Sequence, residues 1–225
     1  ERRNGCGQCL PMTSKQLAPK GWPSEVEFIS DMDWRQVHSE VAMGVRPTQN
    51  NPKRPSKVVR IKTIEDPKHP AYKQRGLFAN QTIKPNTRII DYVGVVRATC
   101  EESKTSDYII QFTNQLSIDA ERRGNEARFI NDYRGTNGNV NVHFKTYPHH
   151  QGVRLGVFSA SRKIKKGEEL LVTYGRSFWK ERGINHLHVE MQSSKTQSFK
   201  TKCVERKAEG KTKNRRNSNE RRTTR

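Results

Sequence analysis

Cysteine is scarce: four among 225 residues. Cys6 and Cys9 form a single Cys-x-x-Cys, while Cys100 and Cys203 stand apart. A disulfide framework needs more cysteines in a tighter pattern, so a reducing compartment is expected. A structural zinc site needs a second ligand pair at matching spacing, and none is present. Cys6 and Cys9 therefore leave two readings open, a metal contact or two ordinary thiols near a terminus. His149 and His150 are adjacent, which is not ligand spacing, and they read as a loop. Long apolar runs are also missing. No stretch approaches the roughly twenty residues needed to span a bilayer, and no secretory signal pattern opens the chain, so membrane insertion is not expected. The first residue is Glu1 rather than Met, as expected of a sequence that starts inside a longer precursor.

Acidic residues are few beside basic ones, 23 against 43, for a formal charge of +20. Hydrophobic residues make up only 31%. These values suit one modest core with polar flanks and attraction to polyanions. The excess is concentrated beyond Lys195, where only Glu205, Glu209 and Glu220 oppose a run of Lys and Arg. That segment has little to bury and is expected to be disordered. It reads as a nucleic-acid arm, a nuclear-import signal or a solvated extension.

Three spans follow from punctuation and periodicity: an N-terminal extension and linker over 1–56, a folded domain over 57–180, and the basic tail over 181–225. In the first, Trp34, Val37 and Val41 have helical spacing behind Asp33 as N-cap, which predicts one short amphipathic helix. Pro47, Pro52 and Pro55 then break the pattern. From Val58 the chain becomes a series of short β-branched or aromatic runs. They are expected at 58–61, 76–79, 87–96, 108–112, 116–119, 140–144, 155–160 and 170–173, with turns at Pro85-Asn86, Asn137-Gly138 and Lys166-Gly167. Ala120 to Phe129 is the clearest helix candidate within them. The expected class is mainly β with a few short helices.

Two segments place a polar side chain at the end of an apolar stretch: Gly124-Asn125-Glu126-Ala127-Arg128-Phe129-Ile130-Asn131 and Gly167-Glu168-Glu169-Leu170-Leu171-Val172-Thr173-Tyr174-Gly175. A partly buried polar group must find a partner, so both ends suggest a site. With Ser117-Ile118-Asp119-Ala120 before them and Asn139 between, the ordered set resembles the SET domain of protein lysine methyltransferases from about Val58 to Trp179.

The resemblance implies a fold of small twisted sheets whose C-terminal strand segment forms a pseudoknot. It implies S-adenosyl-L-methionine as cofactor and a protein lysine as acceptor, a histone tail or another basic nuclear protein, with nuclear localisation. On the matching positions it makes Tyr174 catalytic, with Tyr92 lining the lysine channel. It makes Gly76, Leu77, Tyr108, Arg128, Phe129, Asn131, Asp132 and Trp179 cofactor-binding, Asn131 at the methionine part and Trp179 among the aromatics over the adenine. Metal is not implied. For Arg128 a surface salt bridge competes with a cofactor role, and for Tyr92 plain packing does.

Departures from the family pattern are local. Asp132 stands where a His is usual, Gln74 replaces the first glycine of a Gly-x-Gly, Val95 replaces a Glu and Thr173 an Asp. Val172 occupies the place of an aromatic that often sets how many methyl groups are added. Two further readings therefore stay open, a SET-like scaffold without turnover and a basic nucleic-acid-binding protein dominated by its tail.

Overall fold

The structure, a computed structural model of the chain, describes residues 18–49 and 55–183. Cys6, Cys9, Cys203 and the basic tail beyond 183 lie outside them. Two compact units are distinguished, 1–173 and 174–225.

The first unit is built from strands, as expected. They are β1 (Glu27–Phe28), β2 (Val59–Thr63), β3 (Arg75–Ala79), β4 (Arg88–Asp91), β5 (Val95–Ala98), β6 (Ile109–Gln111), β7 (Leu116–Asp119), β8 (Arg123–Gly124), β9 (Asn131–Asp132), β10 (Val142–His149), β11 (Gly152–Ser159) and β12 (Leu171–Val172). Among the described residues of this unit, helix is confined to α1 (Ser39–Ala42) and to 3-10 turns at Thr99–Glu101 and Glu126–Phe129. The strands make five small sheets: β1-β8, β2-β3, β5-β7-β6, β10-β11-β4 and β12-β9. Val96, Ile118, Val157 and Leu170 are wholly buried and bind the sheets into one core. Each such side chain contributes about 1.5–3 kcal/mol on leaving water.

The two polar-ended segments meet. β12 pairs in parallel with β9, Leu171 opposite Asn131 and Val172 opposite Asp132. Before reaching β9 the closing segment runs beside β3, where Ala79 N–H donates to Glu168 O and Leu170 N–H to Leu77 O, at 2.9 and 2.8 Å. Asn141, 1% exposed, fixes it from the other side. Its Nδ2 donates to Glu169 O at 2.7 Å and its Oδ1 accepts from Leu171 N–H at 2.8 Å.

Three local expectations are corrected. Trp34 to Val41 is not one helix: Asp33 is drawn into a parallel bridge with Val95, its N–H donating to Gly94 O, and helix begins only at Ser39. Trp34 is instead a core residue against Phe112. Ala120 to Phe129 is not a helix either. β1 captures Arg123 and Gly124 as a parallel partner, and Asn125 caps a single 3-10 turn. The run 87–96 is two strands, divided at Gly94, where a Cβ would lie 2.5 Å from the carbonyl oxygen of Asp119. That close crossing of two backbones needs glycine.

The second unit begins at Tyr174. Gly175 has φ 90°, the left-handed region that favours glycine, and leads into α2 (Arg176–Glu181).

Candidate functional site

Asn125 organises one end of the site. Its buried side chain accepts from Ala127 N–H and Val93 N–H, both at 3.3 Å, and donates to Asp91 O at 2.8 Å. One amide thus ties the 3-10 turn carrying Arg128 and Phe129 to the segment carrying Tyr92. Tyr92 is 3% exposed. Its hydroxyl donates to Tyr108 O at 2.7 Å, and its ring meets Phe144 edge-on at 5.5 Å.

Arg128 is buried, so the surface salt bridge considered for it is not what forms. Its Nε donates to Ala120 O at 2.8 Å and its Nη2 to Glu121 O at 3.1 Å. The guanidinium lies 4.0 Å from the Tyr108 ring centroid and 4.9 Å from that of Phe129. Main-chain carbonyls and ring faces together offset the cost of burying the cation. Phe129 continues the packing onto Trp22 at 5.5 Å.

Beneath this end lies a buried ionic cluster. Asp91 accepts from Arg88 Nη1 at 2.8 Å and from the Tyr147 hydroxyl at 2.9 Å. Arg154, 2% exposed at its side chain, pairs with Asp31 at 2.7 Å and lies 3.9 Å from Asp91. Burial, aided by the Asp91 carboxylate, pushes the Tyr147 hydroxyl up to about 12. Burial likewise raises the Glu126 carboxyl, against the N–H of Ser56 that donates to it at 2.7 Å.

The other end centres on Asn131, which is half-buried. Its Nδ2 donates to Glu169 Oε1 at 2.9 Å and to Arg75 O at 3.3 Å. Glu169 Oε2 stands 3.2 Å from His69 Nε2. Gly76 is glycine because that space is taken: a Cβ there would lie 2.7 Å from Glu169 Oε1 and 2.9 Å from the Phe78 ring. Leu77, on the opposite face of β3, is wholly buried and packs in the core. Asp132 accepts from Arg134 N–H at 2.8 Å and pairs with its guanidinium at 2.9 Å, while Arg134 also reaches Thr173 Oγ1.

Beside Glu169 opens a cleft of about 610 Å³, lined among others by Ile64, His69, Phe78, Asn141 and Glu168. It contains none of the residues assigned above to cofactor or catalysis. Burial pushes the Glu168 carboxyl up, but hydrogen bonds from Arg162, Lys165 N–H and Asn141 outweigh this and hold it below its ordinary value.

In the second unit Tyr174, 36% exposed, meets Phe178 edge-on at 4.7 Å and stacks on Trp179 at 6.2 Å. Arg182 covers the Phe178 ring at 3.6 Å.

Of the expected residues, Tyr92, Tyr108, Arg128 and Phe129 thus form one cluster, and Asn131 and Gly76 meet through Glu169. Sequence reasoning missed Asn125, Glu169 and His69. Asn125 left a trace as an Asn between a glycine and an apolar turn; His69 left none. Among the described residues no His, Cys, Asp and Glu group could hold a metal.

Small sheets, closed by a parallel pair between a segment near 131 and one near 171, define a class. Residues 74–175 match the model of the SET domain, and that segment of the chain is a SET domain. The chain is similar to histone-lysine N-methyltransferase ASHH3 of Arabidopsis thaliana, 35% identical over 109 residues, which are 44% of this chain and 29% of that protein. It is similar to histone-lysine N-methyltransferase EHMT1 of Homo sapiens, 31% identical over 116 residues, 48% of this chain and 9% of that one. A solved structure of KRYPTONITE with mCHH DNA, an H3(1-15) peptide and SAH aligns at a TM-score of 0.42 and 23% identity, covering 55% of this chain and 24% of that one. The chain thus spans less than a third of the length of these relatives.

Proposed function

We propose that the chain is an S-adenosyl-L-methionine-dependent protein-lysine N-methyltransferase acting on a histone or another basic nuclear protein, with 57–180 as its working domain. The observation that carries the reading is the SET-domain match across 74–175, which takes in both polar-ended segments. Similarity to histone-lysine N-methyltransferases supports the acceptor class and, with it, the nucleus.

The residues present fit the cofactor on their own chemistry. Both hydrogens of the Asn131 amide are engaged, by Glu169 and by Arg75 O, so its Oδ1 is the atom left to accept from an ammonium such as that of the methionine part. When bound, S-adenosyl-L-methionine supplies a methyl group on a sulfonium. Transfer to lysine needs a neutral amine, and presenting one at pH 7 costs about 4–5 kcal/mol from an ordinary pKa near 10.4. An apolar, aromatic channel disfavours the ammonium and lowers that cost. Tyr92, buried beside Phe144, is suited to line such a channel.

Tyr174 is the proposed catalytic hydroxyl, holding the incoming nitrogen in line, and alignment supplies the remaining acceleration. Gly76, Leu77, Tyr108, Arg128, Phe129, Asp132 and Trp179 complete the proposed cofactor set. Gly76 and Leu77 act through the backbone of β3, because the space beside Gly76 is filled and Leu77 is core. Arg128 acts by holding the Tyr108 and Phe129 rings. The tail beyond 181 is proposed to contact nucleic acid or the nucleosome through its charge.

The test is transfer of labelled methyl from S-adenosyl-L-methionine to core histones and to an array of basic peptides, using the full chain and Tyr174→Phe. Transfer that is present in the wild type and lost in the variant is expected. A wild type no more active than Tyr174→Phe across the whole panel contradicts the reading.

A further inference from the structure

Asn131, Glu169 and His69 are separated by 38 and 100 residues in sequence, yet their side chains form one line. Glu169 Oε1 accepts from Asn131 Nδ2 at 2.9 Å, and Glu169 Oε2 lies 3.2 Å from His69 Nε2. His69 Nδ1 accepts the Ala71 N–H at 3.0 Å, which assigns the ring proton to Nε2, the nitrogen facing Glu169. The approach of Nε2 to Oε2 is close but falls short of an aligned hydrogen bond, so the attraction is chiefly electrostatic. Both side chains are well shielded, 8% and 13% exposed. The absence of a Cβ at Gly76 leaves Oε1 the room it occupies.

An asparagine amide can turn over, exchanging its oxygen for its NH2 at little cost in shape. Here the turned form would set Oδ1 against Glu169 Oε1, two acceptors facing each other. Glu169 therefore dictates which end of Asn131 faces out. His69 in turn holds Glu169 by its other oxygen.

We propose that His69 and Glu169 are positioning residues that lock Asn131 with its oxygen outward, as the acceptor for the ammonium of the cofactor's amino-acid part. The inference rests on the methyltransferase reading for the identity of that ligand. Neither residue touches the cofactor; each acts through Asn131. The floor of the cleft beside β3, which contains His69 and Glu169, is then the back wall of the cofactor site.

The experiment measures, by calorimetry on the full chain, affinity for S-adenosylhomocysteine and for methylthioadenosine, which keeps the nucleoside and thioether but lacks the amino-acid part. His69→Ala is expected to weaken S-adenosylhomocysteine about three- to tenfold and to leave methylthioadenosine within about twofold. His69→Gln, which returns a donor toward Glu169, restores the difference. Equal weakening of both ligands, or no restoration by His69→Gln, overturns the proposal, since a general packing defect would behave so. If the wild type binds neither ligand, the methyltransferase reading fails. The positioning claim is then decided on the ligand-free chain, from the Asn131 side-chain NH2 signals in proton–nitrogen correlation spectra. They are expected to move in His69→Ala and to return in His69→Gln; signals that do not move overturn it.

Discussion

Tyr92 directly follows β4 and Asn131 opens β9, and the two polar groups are held in opposite ways. Tyr92 is almost wholly buried, with its hydroxyl on a backbone carbonyl, its ring on Phe144 and a buried ionic cluster below. Asn131 is half-buried and held by one carboxylate and one carbonyl. The first arrangement is over-determined by packing and suits a wall. The second leaves one acceptor turned outward and suits a ligand. On this contrast, changes at Tyr92 and its ionic cluster are read in stability, whereas a change of the Asn131 amide costs binding beyond any loss of stability.

The strongest way to break the Tyr92 end is Arg154→Leu, which leaves Asp31 and Asp91 without their shared cation. A loss of about 2–3 kcal/mol is expected in urea unfolding: Asp91 keeps Arg88 and Tyr147, and the cost falls mainly on Asp31, which loses both guanidinium hydrogen bonds. A loss below about 1 kcal/mol would mean that the carboxylates relax into water.

Gly76→Ala probes the Asn131 end. The new methyl displaces Glu169 and is expected to cost about 1–3 kcal/mol. In a Glu169→Ala background that cost should shrink, since the 2.7 Å contact is gone; equal costs in both backgrounds would assign it to Phe78 instead.

Tyr92→Phe removes one hydroxyl while Tyr108 O keeps the N–H of Ala120. About 1 kcal/mol is expected from thermal unfolding. A far larger loss would show that the hydroxyl, and not packing, holds this wall.

The last probe is a matter of pH. The Tyr147 hydroxyl is raised to about 12, above an unfolded value near 10. Its contribution is therefore complete below the unfolded value and is lost as pH rises through the folded one. Between those limits the wild type should lose stability more steeply than Tyr147→Phe. Parallel curves would remove Tyr147 from the Asp91 cluster's energetics.

The strands were readable because β-branched runs between turn residues carry a local signal, and every expected run overlaps a strand. The two polar-ended segments were readable as a motif, and β9 and β12 do pair. Elsewhere distant partners overrode local preference. Asp33 offers a good N-cap, yet its backbone is worth more in the bridge to Val95; Ala120 to Phe129 has helical composition, yet β1 claims Arg123 and Gly124. His69 was invisible for the same reason, and Glu169, though inside a legible segment, gave no sign of the pairing. Their role lies in a contact across 100 residues, and neither has a sequence neighbour that announces it. Gly76 was legible as a glycine that matters, but its local cause, the Glu169 carboxylate, needed coordinates.

The most direct test of the contrast is equilibrium binding of S-adenosylhomocysteine to the full chain and to Asn131→Ala, with unfolding measured on the same samples. Affinity should fall by about tenfold or more while stability falls by no more than about 1–2 kcal/mol, the cost of the donor lost to Glu169. Unchanged affinity, or affinity lost only in step with unfolding, would contradict the account.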